Sequence, residues 1–282
     1  MTICICGAGT MGGGIAQVTA AAGHRTILYD LNAAVVEQAK ARITTGLSTL
    51  VEKKKITMEK KDAILGLIQF TSRIEDCLAD LVIEAVIENI EVKQLLFNQL
   101  AAINKDTTLF ATNTSSLPVS AIQEKISHPE RVAGLHFFNP APLMKLVEVV
   151  KGEKTGEEVM QQLEQFTREL GKEPVVCRDA PGFIVNRVAR PYYIESLRIA
   201  EEGHTDMETI DRLMESRGFR MGPFRLMDLI GNDVNYAVSC SVYEQLGKPE
   251  RLKPSPLQKE KVEQGNLGRK TGRGYYNYQS NT

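Results

Sequence analysis

The stretch Ile3-Cys4-Ile5-Cys6-Gly7-Ala8-Gly9-Thr10-Met11-Gly12 decides how the first half of the chain folds. Its first four residues form a short apolar run, the composition of a buried strand. Gly-x-Gly-x-x-Gly follows at once. An apolar, helix-like segment then continues through Ile15, Val18, Ala21 and Ala22 to Gly23, a suitable C-terminal cap. Thr26-Ile27-Leu28-Tyr29-Asp30 reads as a second strand and closes on an acid 23 positions after Gly7. Strand, glycine turn, helix, strand and acid in this order are the signature of a Rossmann-type dinucleotide-binding unit. Gly7 allows the tight turn, Gly9 lets the backbone approach a pyrophosphate, and Gly12 lets helix and strand pack closely. Thr10 and Met11 open the helix, where unpaired N–H groups and the dipole favour phosphate. Asp30 is expected to accept hydrogen bonds from a ribose. No arginine stands at Leu31 or Asn32 to hold a 2′-phosphate, so the expected cofactor is NAD.

Working outward, residues 33–51 have a helical apolar pattern, with Val36, Ala39, Ile43 and Leu47 on one face. Lys53, Lys54, Lys55, Lys60 and Lys61 follow, which is either a solvated face or a landing site for a phosphate-bearing substrate. Strands are expected at 68–71, 81–86, 108–113 and 174–177, with helices at 91–103 and 157–170 and another opened by Pro118. Ligands of parallel sheets bind beyond the carboxyl ends of the strands, which singles out Glu88, Asn113, Ser115 and Ser116. One of the two serines is expected to be the helix N-cap. Asp179-Ala180-Pro181-Gly182 marks a boundary, and beyond it the signals are helical only: 184–202, 207–217, 226–243 and 256–264. The layout is an α/β chain: a Rossmann-type, NAD-binding domain over residues 1–180, then an all-helical domain over 181–282.

A second decisive stretch runs through Gly134-Leu135-His136-Phe137-Phe138-Asn139-Pro140 and Leu146-Val147-Glu148-Val149-Val150. Both halves, residues 131–138 and 143–150, read as strands separated by prolines. On a period of two, Glu148 shares a face with Met144, Leu146 and Val150, where a carboxylate is costly unless paired. Consecutive strands are often neighbours, so His136 is the candidate partner. A carboxylate on one ring nitrogen fixes the tautomer and leaves the other to exchange a proton with a substrate, the logic of general acid–base catalysis. A hydrogen-bonded core histidine beside an edge-strand glutamate is the plainer alternative.

Composition excludes several classes. Of 282 residues 43% are hydrophobic and 24% charged, enough for a core, and a net charge of −1 removes any whole-protein case for nucleic acid or membrane surfaces. Cys4, Cys6, Cys77, Cys177 and Cys240 are odd in number and scattered, so neither a disulfide frame nor a metal site is indicated. They fit a reducing compartment. No apolar run is long enough to span a bilayer, and the first strand starts at Ile3 with no leader before it, so the expected location is cytoplasmic. Apolar positions in excess of one helix face (Ile194, Leu197, Ile199, Leu229, Ile230, Val238 and Val242) point to a homodimer through the helical domain.

Several of these stretches together resemble the 3-hydroxyacyl-CoA dehydrogenases, including the monofunctional 3-hydroxybutyryl-CoA dehydrogenases. They are the glycine turn at 7–12, Asn113-Thr114-Ser115-Ser116-Leu117, His136-Phe137-Phe138-Asn139-Pro140, Leu146-Val147-Glu148-Val149 and Pro181-Gly182-Phe183-Ile184-Val185-Asn186-Arg187. Gly268-Arg269-Lys270-Thr271-Gly272-Arg273-Gly274-Tyr275-Tyr276 is similar to that family's closing motif. The resemblance implies that His136 is the catalytic base and Glu148 its orienting carboxylate. It implies that Ser115 and Asn186 hold the substrate's 3-oxygen and thioester end. Asn139, Glu88, Lys93 and Lys270 match nicotinamide-side and ribose contacts, and Lys53 matches a basic contact to CoA. Thr49 stands where many members carry a second lysine. Asn232 and Asn235 are polar where many butyryl-type members are apolar, closer to members of aromatic-acid catabolism. The implied reaction is reversible oxidation of an (S)-3-hydroxyacyl-CoA, with 3-hydroxybutyryl-CoA as first substrate and 3-hydroxyadipyl-CoA as an alternative. A dehydrogenase of a free hydroxy acid or sugar acid, or a non-catalytic crystallin-like protein, are the competing readings.

Overall fold

A computed structural model describes residues 1–278. The chain divides into two compact units, Met1–Ala180 and the residues from Pro181 onward. In the first unit eight strands form one sheet: β1 (Thr2–Cys6), β2 (Arg25–Tyr29), β3 (Ile68–Thr71), β4 (Leu81–Glu84), β5 (Leu109–Thr112), β6 (Val132–Phe137), β7 (Leu146–Lys151) and β8 (Glu173–Arg178). Their order across the sheet is β3-β2-β1-β4-β5-β6-β7-β8. Pairing is parallel from β3 to β6, antiparallel between β6 and β7, and parallel again between β7 and β8. The strand order reverses between β1 and β4, the switch point at which such sheets bind ligands.

Alternation along β1 sorts its side chains to two cores. Ile3 and Ile5 join the apolar layer that includes Ile15 and Ala16 of α1 (Thr10–Ala21) and Val36, Ala39, Ile43 and Leu47 of α2 (Ala33–Glu52). Cys4 and Cys6 face the other layer, with Cys77, Phe97 and Phe110. All five cysteines are free thiols. Helix α3 (Met58–Gly66) is missing from the sequence reading because its charges mask its pattern and only Ile64 is buried. Thr57, whose side chain accepts from the Lys60 N–H, is the signal that marks it. Helix α4 (Ile90–Ile103) is capped by Asn89, and α5 (Val119–Gln123) starts after Pro118, which occupies the N-cap with no side-chain cap bond. Neither Ser115 nor Ser116 is therefore that cap; the serines belong to a tighter turn around Thr114. Helix α6 (Glu157–Glu169) crosses between the parallel strands β7 and β8.

The second unit holds α7 (Val185–Glu201), α8 (Met207–Ser216), α9 (Pro223–Ile230), α10 (Asn232–Gln245) and α11 (Pro256–Glu263). The single helix expected over 226–243 is two helices, because Gly231 adopts φ 105°, a conformation a continuous helix cannot contain. Two buried aspartates tie the unit together. Asp211 accepts from the Phe224 and Arg225 N–H groups at the start of α9 and from the Tyr276 hydroxyl. Asp228 accepts from the Tyr275 and Tyr276 N–H groups and from Asn232 Nδ2, which fastens the closing motif to α9. Of the apolar positions expected at a dimer surface, Ile194, Leu197, Val238 and Val242 are buried within their own unit. Leu229 and Ile230 are exposed, and so are Val188 and Val234. Among the described residues no helix is long and apolar enough to cross a membrane.

Candidate active site

The three motif glycines meet three different surroundings. Gly7 has φ 101°, and a Cβ there would lie 2.5 Å from the Ala85 carbonyl oxygen. At Gly12 a Cβ would lie 1.7 Å from the Gly7 oxygen. Gly9 has no protein atom within 4 Å of its would-be Cβ, so nothing inside the fold requires a glycine there. It is also the N-cap of α1, and no side chain caps that helix. Bare N–H groups beside an open approach fit a pyrophosphate. Asp30, just past β2, stiffens the loop: Oδ2 accepts from the Ala8 N–H at 2.8 Å and Oδ1 from the Asn32 N–H at 3.0 Å. Arg42, on α2, donates to the Ala8 carbonyl at 2.8 Å. The positions directly after Asp30 give no sign of this arginine, which stands nine residues past the start of α2; a cation within α2 is its signal in the sequence.

Beyond the ends of β4 and β5 lies a network of buried charge. Glu84, the last residue of β4, is fully buried and accepts from Lys93 Nζ (2.6 Å), the Thr112 hydroxyl (2.7 Å) and the Val86 N–H (2.7 Å). Lys93 is 1% exposed, and its ammonium lies 3.1 Å from Glu88 Oε2. Glu88 in turn accepts from the Thr114 hydroxyl (2.6 Å), the Ser115 and Ser116 N–H groups (3.0 and 3.2 Å) and the Ser116 hydroxyl (3.1 Å). Lys93 thus faces two protein carboxylates rather than an open surface, and Glu88 fixes the turn that carries Ser115. Burial pushes the Glu84 carboxyl up, against the downward pull of Lys93 and its two other donors. Burial pushes Glu88 the same way, but the Lys93 ammonium and the loop donors outweigh it and hold Glu88 below the ordinary carboxylate range. Asn113, after β5, accepts from the Phe137 N–H at 2.9 Å and so ties the loop to β6.

The β6·β7 register sets His136 directly opposite Glu148. His136 Nδ1 lies 2.8 Å from Glu148 Oε2, and both side chains are almost fully buried. The contact commits Nδ1 to the carboxylate and assigns any proton exchange to Nε2. The Phe138 ring lies 4.6 Å from the imidazole, centroid to centroid. Strand β6 ends at Phe137, one residue after His136 and on the same edge of the sheet as the carboxyl ends of β1, β4 and β5. Asn139 follows on the surface. Lys53 caps the C-terminal end of α2 with an exposed side chain. In the helical unit, Asn186 lies in the first turn of α7. Lys270 pairs with both oxygens of Asp233 at 2.6 and 2.7 Å.

Family models match both units: "3-hydroxyacyl-CoA dehydrogenase, NAD binding domain" over residues 2–180 and the corresponding C-terminal domain over 182–278. The chain belongs to the 3-hydroxyacyl-CoA dehydrogenase family. It carries that family's NAD-binding domain, and the Rossmann-like unit with a helical unit after it is the family's architecture. Among its relatives, the 3-hydroxyadipyl-CoA dehydrogenase of Escherichia coli K12 is 50% identical over 99% of this chain and 59% of its own length. The crystal structure of 3-hydroxybutyryl-CoA dehydrogenase from Escherichia coli K12 superposes with a TM-score of 0.95 at 48% identity, covering 100% of this chain and 60% of that one. The chain therefore spans about three-fifths of the length of these relatives. An (S)-3-hydroxybutyryl-CoA dehydrogenase from Ralstonia eutropha matches at TM-score 0.93 and 36% identity, over 99% of both chains.

Proposed function

We propose that the protein oxidises (S)-3-hydroxyacyl-CoA thioesters reversibly to 3-ketoacyl-CoA with NAD. 3-Hydroxybutyryl-CoA is the first candidate substrate and 3-hydroxyadipyl-CoA the alternative acyl group. The observation that carries this reading is the buried His136–Glu148 contact at 2.8 Å, an imidazole oriented by a carboxylate. NAD, when bound, would supply the acceptor for the hydride that leaves C3. Nε2 of His136 takes the hydroxyl proton, and Glu148 stabilises the resulting imidazolium. Ser115 and Asn186 donate to the 3-oxygen and the thioester carbonyl, orienting C3 and favouring the polarised carbonyl. Glycines 7, 9 and 12 with Thr10 and Met11 hold the pyrophosphate, and Asp30 receives the adenosine ribose. Asn113, Asn139 and Lys270 bound the nicotinamide end. Glu88 and Lys93 contribute there through the Ser115 turn, whose amides Glu88 holds. Lys53 meets the CoA phosphates.

Free thiols support a cytoplasmic enzyme, and the 3-hydroxyacyl-CoA substrate class supports a place in fatty-acid metabolism. The exposed Val188, Leu229, Ile230 and Val234 support a homodimer through the helical unit, a proposal that a monomeric mass by light scattering at micromolar concentration would remove. The substrate class is tested with NADH by comparing reduction of acetoacetyl-CoA and free acetoacetate. The thioester is expected to be the far better substrate. Equal or greater activity on the free acid would move the protein to the hydroxy-acid dehydrogenases.

A further inference from the structure

Helix α7 buries one charge. Arg190 is 2% exposed, and each of its partners is neutral. Nε donates to the Asn186 carbonyl at 2.9 Å, and one terminal nitrogen donates to the Asn235 carbonyl at 3.0 Å and to Ser239 Oγ at 2.9 Å. The guanidinium lies 4.9 Å from the centroid of the Tyr193 ring. Among the described residues no carboxylate pairs with it, and its second terminal nitrogen has no protein acceptor. Lys93, also deeply buried, has two carboxylates, whereas Arg131 and Lys172, each 8% exposed, bond main-chain carbonyls only. A buried guanidinium without a counter-charge is costly in the absence of an anion, and burial pulls Arg190 down to about 10.

A second donor in the same cluster is also unanswered. Asn235 Oδ1 accepts from Gln258 Nε2 at 3.1 Å, while its buried Nδ2 has no acceptor. Because Arg190 bonds the main chain of Asn235, the two unanswered donors belong to one cluster. Donors in excess of acceptors around a fixed guanidinium fork are the chemistry of a carboxylate site.

We propose that Arg190, with Asn235 and Ser239 beside it, is a subsite for the terminal carboxylate of a dicarboxylic acyl chain, so that the enzyme selects 3-hydroxyacyl-CoA thioesters that end in a second acid group. The proposal rests on the reading of Asn186 given above. Asn186 and Arg190 are four residues apart on α7, on one helix face and about 6 Å apart along the axis. From C3 to the terminal carboxyl carbon of a six-carbon chain the extended distance is about 4 Å, and a hydrogen bond of about 2.9 Å covers the rest. A four-carbon chain ends too early to reach. The competing account makes Arg190 a tie between α7 and α10.

The test compares kcat/KM for 3-hydroxyadipyl-CoA and 3-hydroxyhexanoyl-CoA, which have the same chain length and differ in end group, with 3-hydroxybutyryl-CoA beside them. The wild type is expected to favour the adipyl thioester over the hexanoyl by about 30-fold or more, the lower end of what removing one partner of a buried charge pair costs. Arg190→Met should collapse that ratio, and Arg190→Lys should keep part of it. A wild-type ratio near one, or a uniform fall in Arg190→Met that leaves the ratio unchanged, overturns the proposal. Should Arg190→Met not fold, the wild type alone decides. Adipyl-CoA should inhibit 3-hydroxybutyryl-CoA oxidation at far lower concentration than hexanoyl-CoA, and equal inhibition overturns the subsite. No turnover of any of the three thioesters sinks the dehydrogenase reading itself; turnover without end-group preference sinks only the subsite.

Discussion

Two carboxylates are buried in the same sheet and are answered in opposite ways. Glu84, at the end of β4, receives three donors: an ammonium, a hydroxyl and a backbone N–H. Glu148, on β7, meets an imidazole through one oxygen at 2.8 Å. All three donors to Glu84 are fixed inside the fold, so the cluster is locked. An imidazole can carry a proton on either ring nitrogen, so the Glu148 contact suits general acid–base chemistry. The first arrangement fixes a loop, and the second can take part in chemistry. Burial alone does not separate them; the chemistry of the partner does.

The largest effect is expected where the comparison assigns chemistry. His136→Gln should lower kcat by roughly 10²–10⁴-fold, the usual worth of general acid–base catalysis, while NAD affinity and thermal stability stay near wild type. Steady-state kinetics beside NAD titration reads both. Turnover within threefold of wild type would make the His136–Glu148 contact structural, a second version of the Glu84 cluster.

The locked cluster should fail in stability first. Lys93→Met leaves Glu84 buried against two neutral donors, and losing one partner of a buried pair costs on the order of 3–5 kcal/mol. Urea unfolding measures it. The double variant Glu84→Gln/Lys93→Met removes both charges and should recover much of the loss. If the single variant unfolds within about 1 kcal/mol of wild type, the cluster carries little and Glu88 alone holds the Ser115 turn.

What the sequence could reveal followed from periodicity and topology. The glycine turn at 7–12, its flanking strands and Asp30 are local in sequence, so the Rossmann-type reading needed no long-range information. Placing His136 near Glu148 needed only that consecutive strands tend to be neighbours; the antiparallel register then sets the two opposite each other. Other features depend on tertiary detail. Glu84 stands inside an otherwise apolar run, where an acid demands a partner, and Lys93, nine positions on, becomes that partner only through the fold. Arg190 was hidden for a similar reason: a charge on the buried face of an amphipathic helix shows only once the face is known. The break at Gly231 fell inside an otherwise continuous apolar pattern, and only its positive φ distinguishes it from a tolerated helical glycine.

The smallest effect separates the two ends of the locked cluster. Glu88 is held below the ordinary carboxylate range because Lys93 and the loop donors outweigh its burial. A depressed folded-state value means that the ionised carboxylate stabilises the fold above its unfolded-state range. That contribution is lost as pH falls through the folded value. Wild type should therefore lose stability below about pH 4 more steeply than Glu88→Gln, which has nothing to protonate there. After solvent screening of a side chain about one-third exposed, the difference should be on the order of 1 kcal/mol or less. Melting temperature against pH for the two proteins measures it. Curves that stay parallel through the acid range would mean that Glu88 holds the Ser115 turn equally well as a neutral acid. The ionic lock would then end at the Glu84–Lys93 pair.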